Sequence, residues 1–224
     1  MAVWITVKRP GVKLYRADYT RLKRLLDLTF CLLALLFSWP AFAVIAVLIR
    51  LETPGPVLFI HDRIGKGGRR FKMYKFRTMH HNIARDGHRS YMKAYVNGQT
   101  PQGSNSGVFK PFQDNQVTKV GRILRATSLD ELPQIINVLR GEMSIVGPRP
   151  NVLWEVEEYQ GWHKERLEVL PGITGLAQVR GRSGIPFNEI IRHDLRYIEQ
   201  QSLLLDLKII WWTVTSVLQR KGAQ

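Results

Sequence analysis

The chain has 224 residues, 45% of them hydrophobic, with 33 Lys+Arg against 18 Asp+Glu and a formal charge of +15. That is enough for one domain of ordinary size with a packed core plus a membrane element, and the basic excess calls for an anionic partner: nucleic acid, anionic lipid headgroups or a phosphorylated substrate. The single cysteine, Cys31, excludes an internal disulfide or a Cys-based zinc site, which fits a reducing, cytoplasmic setting.

Residues 1–24 form a basic N-terminal segment. A membrane helix is expected over 25–50, because no charge interrupts Leu28 to Ile49 and such a run is long enough for a hydrocarbon core of about 30 Å. No A-x-A-like cleavage site follows it and Arg50 closes it, so it reads as retained rather than as a signal peptide. Both flanks are basic, and the positive-inside rule then asks for cytoplasm on both sides. Ser38-Trp39-Pro40 falls mid-segment, where proline removes a donor and crowds the preceding turn, so a kink is expected there. A re-entrant helix meets both conditions; a plain spanning helix with a tolerated proline is the alternative.

Residues 51–224 read as one catalytic domain, α/β in class, mixed and mainly helical with short strands. Val57 to Ile60 and Arg70 to Arg77 are expected as partner strands about a turn at Gly65-Lys66-Gly67-Gly68. Asn97 to Asn115, rich in Gly, Ser, Asn, Gln and Pro, reads as a loop. Leu132, Ile135, Ile136 and Leu139 give a helix an apolar face, and Gly141 is placed to end it. Val152 to Leu170 and Phe187 to Gln200 read as helices, and Gly175 to Arg182 as a strand and turn. Leu203 to Lys221, with paired tryptophans and basic residues, suits either a membrane interface or a core helix.

The residues that could do chemistry centre on Thr127-Ser-Leu-Asp-Glu-Leu-Pro133. Ser128 and Glu131 match a capping box, and Pro133 puts helix onset near Asp130. A helix N-terminus would keep Asp130 ionised and attract phosphate. An ionised carboxylate can attack phosphorus, and Glu131 could hold Mg²⁺, which prefers oxygen ligands and bridges to phosphates. The plainer reading of this pattern is only a cap. Arg122 and Arg125 precede the pair; Arg149 sits between Pro148 and Pro150; Arg180-Gly-Arg182 and Lys75-Phe-Arg77 add more forks suited to phosphate oxygens. Walker A, G-x-S-x-G and H-E-x-x-H patterns are absent, and the aromatic–basic alternation of Arg70 to Phe76 reads as a half-buried strand rather than a nucleic-acid stacking surface.

These residues resemble a known family. From about Lys23 to Lys221 the chain looks like a bacterial sugar transferase, a monotopic phosphoglycosyl transferase. The likeness rests on Lys23-Arg-Leu-Leu-Asp27, the Ser38/Pro40 break, Pro54-Gly-Pro-Val57, Arg63-Ile-Gly65, Lys75-Phe-Arg-Thr-Met79, Val120-Gly-Arg-Ile-Leu-Arg125, the Asp130–Glu131 element, Gly147-Pro-Arg-Pro150, Pro171-Gly-Ile-Thr-Gly175 and Asp206-Leu-Lys208. The resemblance implies transfer of a sugar-1-phosphate from a UDP-sugar to undecaprenyl phosphate, with UMP leaving. It implies a ping-pong course through a phospho-sugar on Asp130, Mg²⁺ at Glu131, and a phosphate and nucleotide site lined by Lys75, Arg125, Arg149, Arg180 and Arg182. It implies a re-entrant helix broken at Ser38 and Pro40, with the catalytic domain on the cytoplasmic face of the bacterial inner membrane. Arg180 departs from the family, which often has Asn there. Two other readings stand beside this one: an anionic-lipid or nucleic-acid binding module, and a non-catalytic glycan-assembly scaffold. The expected partners are UDP-sugar, undecaprenyl phosphate and membrane, without nucleic acid, and a homo-oligomer stays open.

Overall fold

The computed structural model describes residues 17–80, 116–181 and 185–219. The expected loop at Asn97 to Asn115 and the residue Arg182 lie outside them. The first element, α1 (Ala17–Glu52), extends eight residues into the expected N-terminal segment and carries Pro40 inside it. The helix is not interrupted at Ser38-Pro40; Ser38 is half-buried and Pro40 exposed. One stripe of α1 faces the rest of the chain, with Asp27, Cys31, Ile45 and Ile49 buried. The opposite stripe is apolar and open, with Leu36, Phe37, Trp39 and Leu51 strongly exposed.

A hairpin follows, β1 (Leu58–Ile64) against β2 (Arg70–Phe76), antiparallel from Leu58↔Phe76 to Ile64↔Arg70. Its turn needs left-handed backbone at Gly67 and Gly68, which glycine adopts without a Cβ clash. Phe71 and Met73 alternate inward, then Phe76 and Arg77 are both buried. Next comes α2 (Lys119–Ala126), capped twice. Thr118 Oγ1 accepts from the Gly121 amide, and the Glu52 carboxylate at the end of α1 accepts from the amides of Lys119 and Val120. A Cβ on Gly121 would stand 2.1 Å from the Thr78 carbonyl oxygen, so only glycine lets α2 press against the strand exit.

A 3₁₀ turn over Leu129–Gln134 runs into α3 (Ile135–Leu139), which Gly141 ends in left-handed conformation as expected. The short strand β3 (Ser144–Val146) pairs in parallel with β4 (Gly172–Thr174). Between them lie α4 (Leu153–Glu157) and a 3₁₀ segment, Gly161–Glu168, in place of the single helix expected over Val152 to Leu170. The chain folds back there because Arg166 is buried against the Asp194 carboxylate, the Tyr159 hydroxyl and the Arg149 carbonyl, which fixes that piece by tertiary contacts.

After β4 come α5 (Leu176–Gly181), α6 (Phe187–Glu199) and α7 (Leu203–Leu218). The strand expected over Gly175 to Arg182 is therefore helical, and the strand lies just before it. Its partner β3 sits 28 residues upstream (172 minus 144), a pairing that local pattern does not reveal. The core-helix reading of the last element holds for one face, and the opposite face is apolar and open. Asp206 and Ile209 face the core, while Leu204, Leu207, Trp211, Val214 and Leu218 form an exposed apolar stripe.

The core has several centres. Cys31 of α1 packs with Phe71, Met73, Ile135, Val138 and Met143; Ile45 and Ile49 pack with Phe76 and Leu124; Val146 packs with Tyr197, Ile198 and Ile209. A fourth joins Tyr159, Phe187 and Ile191, and two of the four include α1. Polar pins reinforce this: Arg24 donates to the carbonyls of Val138 and Leu139, Asp27 accepts from the Ile145 amide, and Asp206 accepts from Tyr19, Lys23 and Tyr197.

Candidate active site

Asp130 and Glu131 stand on the 3₁₀ turn, where Ser128 adopts a left-handed backbone at φ 57°. The expected capping box is not formed. Ser128 makes no side-chain cap, only its carbonyl accepts from the Glu131 amide, and the Glu131 carboxylate turns instead to Lys75. Lys75 reaches across from β2, with Nζ 2.5 Å from Glu131 Oε1 and 3.8 Å from Asp130 Oδ2. Each side chain is at most about one-fifth exposed, so the three charges interact with little water between them.

The two neighbouring carboxyls are driven apart. Burial pushes Asp130 above the usual carboxylate range; Lys75 and Arg125 oppose this and Glu131 adds to it. The direction is set by burial rather than by a helix N-terminus, because a short 3₁₀ segment offers little dipole against the desolvation. Burial also raises Glu131, but Lys75, Arg149 and Arg63 outweigh it and hold its carboxyl below the usual range.

Arginines complete the ring. Arg125, in the last turn of α2, donates from Nε to Thr78 Oγ1 at 3.0 Å. Arg149 is exposed and acts on both Glu131 and Arg63. Its neighbours hold the backbone: the Pro148 carbonyl accepts from the Gly172 amide at 2.8 Å, and the Pro150 carbonyl from Arg63 at 3.2 Å. A Cβ on Gly172 would lie 2.1 Å from the Gly147 nitrogen, so the Gly147-Pro-Arg-Pro150 and Pro171-Gly-Ile-Thr-Gly175 loops meet only because glycine stands there.

Arg63 is not among the site residues expected from the sequence, where it enters only in the Arg63-Ile-Gly65 motif of the family likeness. In β1 it falls opposite Phe71, and it lines a small recess with Lys75, Glu131, Gln134 and Arg149. Burial and then Arg149 push its pKa down to about 10, partly offset by Glu155 and Glu131. Its Nε is buried without a protein partner among the described residues, a donor left for an anion.

Two expected ligands are engaged elsewhere. Arg77 is buried and donates to the carbonyls of Thr53 and Pro54 and to Thr53 Oγ1, clamping the end of α1. Arg180 lies over the Trp212 ring, 4.7 Å from its centroid. Neither lines the recess or the larger cavity beside Glu131.

Among the described residues no three His, Cys, Asp or Glu side chains gather as a metal cluster. Two adjacent carboxylates are nonetheless a fit for Mg²⁺, which commonly takes one or two carboxylates and completes its shell with phosphate oxygens and water.

The sequence profile described as "Bacterial sugar transferase" matches residues 18–220. The chain is 42% identical over 223 residues to a UDP-glucose:undecaprenyl-phosphate glucose-1-phosphate transferase of Caulobacter vibrioides, covering 96% of this chain and 76% of that protein. It is 38% identical to the exopolysaccharide production protein ExoY of Sinorhizobium fredii, covering 90% and 87% respectively. It is 39% identical to the galactosyl transferase CpsE of Streptococcus agalactiae, but covers only 46% of that protein's length.

Proposed function

The chain belongs to the bacterial sugar transferase family, and on that premise we propose that it moves a sugar-1-phosphate from a UDP-sugar to undecaprenyl phosphate, releasing UMP and starting a glycan. One observation carries the reading: a mostly buried Asp130 beside Glu131 and Lys75, with Arg125 acting on Asp130 and Arg63 and Arg149 on Glu131. Such a site suits phosphoryl transfer, where positioning and charge stabilisation supply most of the catalysis.

An Asp130 carboxylate oxygen attacks the phosphorus that bears the sugar. The bond from that phosphorus to the bridging oxygen breaks, and UMP departs with the electron pair. The lipid phosphate oxygen then attacks the same phosphorus and expels the Asp130 carboxylate. Lys75 orients both carboxyls and offsets their repulsion, while Arg63 Nε and the Arg149 fork meet the diphosphate oxygens. Glu131, kept ionised by its cationic neighbours, would hold Mg²⁺, which supplies neutralisation of the diphosphate charge when bound.

The same reading places the catalytic body on the cytoplasmic face with α1 re-entrant. Lys23 near one end of α1 pairs with Asp206, and Glu52 at the other caps α2, so both ends stay against one body. A plain crossing would carry one end across a core of about 30 Å.

The test is UMP release by the protein in nanodiscs with Mg²⁺, undecaprenyl phosphate and a panel of UDP-sugars, beside Asp130→Asn. Lipid-dependent release lost in the variant is expected. Full activity of Asp130→Asn would remove Asp130 as the nucleophile.

A further inference from the structure

A cavity of about 470 Å³ lies between α1 and α7 and reaches Arg125 and Glu131. It falls within the size range of ligand sites, about 300–1,000 Å³. Its α1 wall is Phe30, Cys31 and Ala34; Val217 stands on the α7 wall. Some polar groups of the lining are engaged: Thr213 donates to the Ile209 carbonyl and accepts from Thr174 at 2.6 Å, and Gln178 Nε2 donates to the Ile173 carbonyl, which leaves Gln178 Oε1 as a buried acceptor without a partner among the described residues. Charge enters the lining only at Arg125 and Glu131. An occupant with an apolar body and one anionic end fits this distribution better than a nucleotide base, which needs several polar partners along its edge and would find Gln178 Oε1 as the one buried acceptor left open in this lining among the described residues.

The polar recess lined by Arg63, Lys75 and Arg149 adjoins the same Glu131. The two spaces therefore meet at Glu131, the neighbour of Asp130, one basic and one apolar. The helices that wall the apolar space are also those whose outward stripes are exposed and hydrophobic, Leu33 and Phe37 on α1, Trp211 and Val214 on α7. A lipid lying along those stripes is next to the cavity.

We propose that the cavity between α1 and α7 seats the phosphate-proximal part of the acceptor's polyprenyl tail, with the phosphate at the Arg125–Glu131 end; this rests on the transferase reading above. The tail is then bound by the protein rather than merely dissolved in the bilayer.

The test uses the full chain in nanodiscs. Ala34→Trp and Val217→Trp fill the cavity from its two walls. Each is expected to raise the KM for undecaprenyl phosphate by about tenfold or more, the cost of excluding a few methylene groups, with the KM for the UDP-sugar moving far less. An unchanged lipid KM in both would overturn the proposal. A second measurement needs no cavity-filling residue: p-benzoylphenylalanine in place of Phe30, irradiated with undecaprenyl phosphate present. A polyprenyl adduct is expected, and adducts only to bulk phospholipid, or none, would overturn the seat. Absence of UMP release from every donor in the unsubstituted protein would instead overturn the transferase reading.

Discussion

Lys75 Nζ sits between Glu131 Oε1, at 2.5 Å, and Asp130 Oδ2, at 3.8 Å, so one cation from a β-strand governs two carboxyls on a separate turn. Lys75→Met leaves the turn's backbone in place but removes the group that most lowers both carboxyl pKa values. Turnover is expected to fall by about 10²–10³, the usual loss for one preorganised electrostatic partner. UMP release with a matched melting curve separates this from unfolding.

Ser128 holds a left-handed backbone without a side-chain bond to justify it. Ser128→Gly is expected to keep or slightly raise stability, since the relief of a strained L-residue offsets the added chain entropy. Ser128→Val should lose about 1–3 kcal/mol, because a β-branched residue resists that conformation. Thermal unfolding of the pair checks the order.

Arg77 holds the last turn of α1 through Thr53 and Pro54. Arg77→Lys keeps the charge but cannot span those acceptors with one planar fork, and a loss of about 1.5–3 kcal/mol is expected from each charged hydrogen bond not remade. A drop in stability with donor KM close to that of the parent would mark a structural clamp; a rise in donor KM at unchanged stability would mark a phosphate ligand.

His163 is buried, its Nδ1 accepting from the Gln160 amide, so Nε2 carries the proton that meets Asn188 Oδ1. Burial lowers its pKa, with Arg166 acting in the same direction and Asn188 against it. The unfolded chain therefore binds the proton more readily. This contribution to stability is present above the ordinary value of 6.5 and is lost as pH falls through it towards the lower folded value. Denaturant midpoints across that range should fall on acidification, and more steeply than in His163→Gln.

What the sequence disclosed follows the range of each interaction. The Asp130–Glu131 pair, Arg125 and the Pro148-Arg149-Pro150 run are local patterns; Glu131, Arg149 and Pro150 line one recess with Lys75, while Arg125 lines the adjoining cavity. The hairpin was legible because its turn glycines and its alternation lie within a few residues of one another. The capping box misled: the residue types matched, but a lysine 56 positions away claims the glutamate. Arg63 and Arg77 are alike as letters near strand ends, and only the register opposite Phe71 and the carbonyls of α1 tell site from clamp. The parallel β3–β4 pair rests on two three-residue strands, too short to carry a period of their own.

The embedding of α1 in two of the core clusters bears on how the protein can be made. Cys31, Ile45 and Ile49 leave the ribosome before any of the strands and helices they later pack against. The long apolar helix is thus also a template on which the hairpin, α2 and α3 condense. On the membrane reading proposed above, folding and insertion become one event, and a version cut after Glu52 would lack part of its own interior.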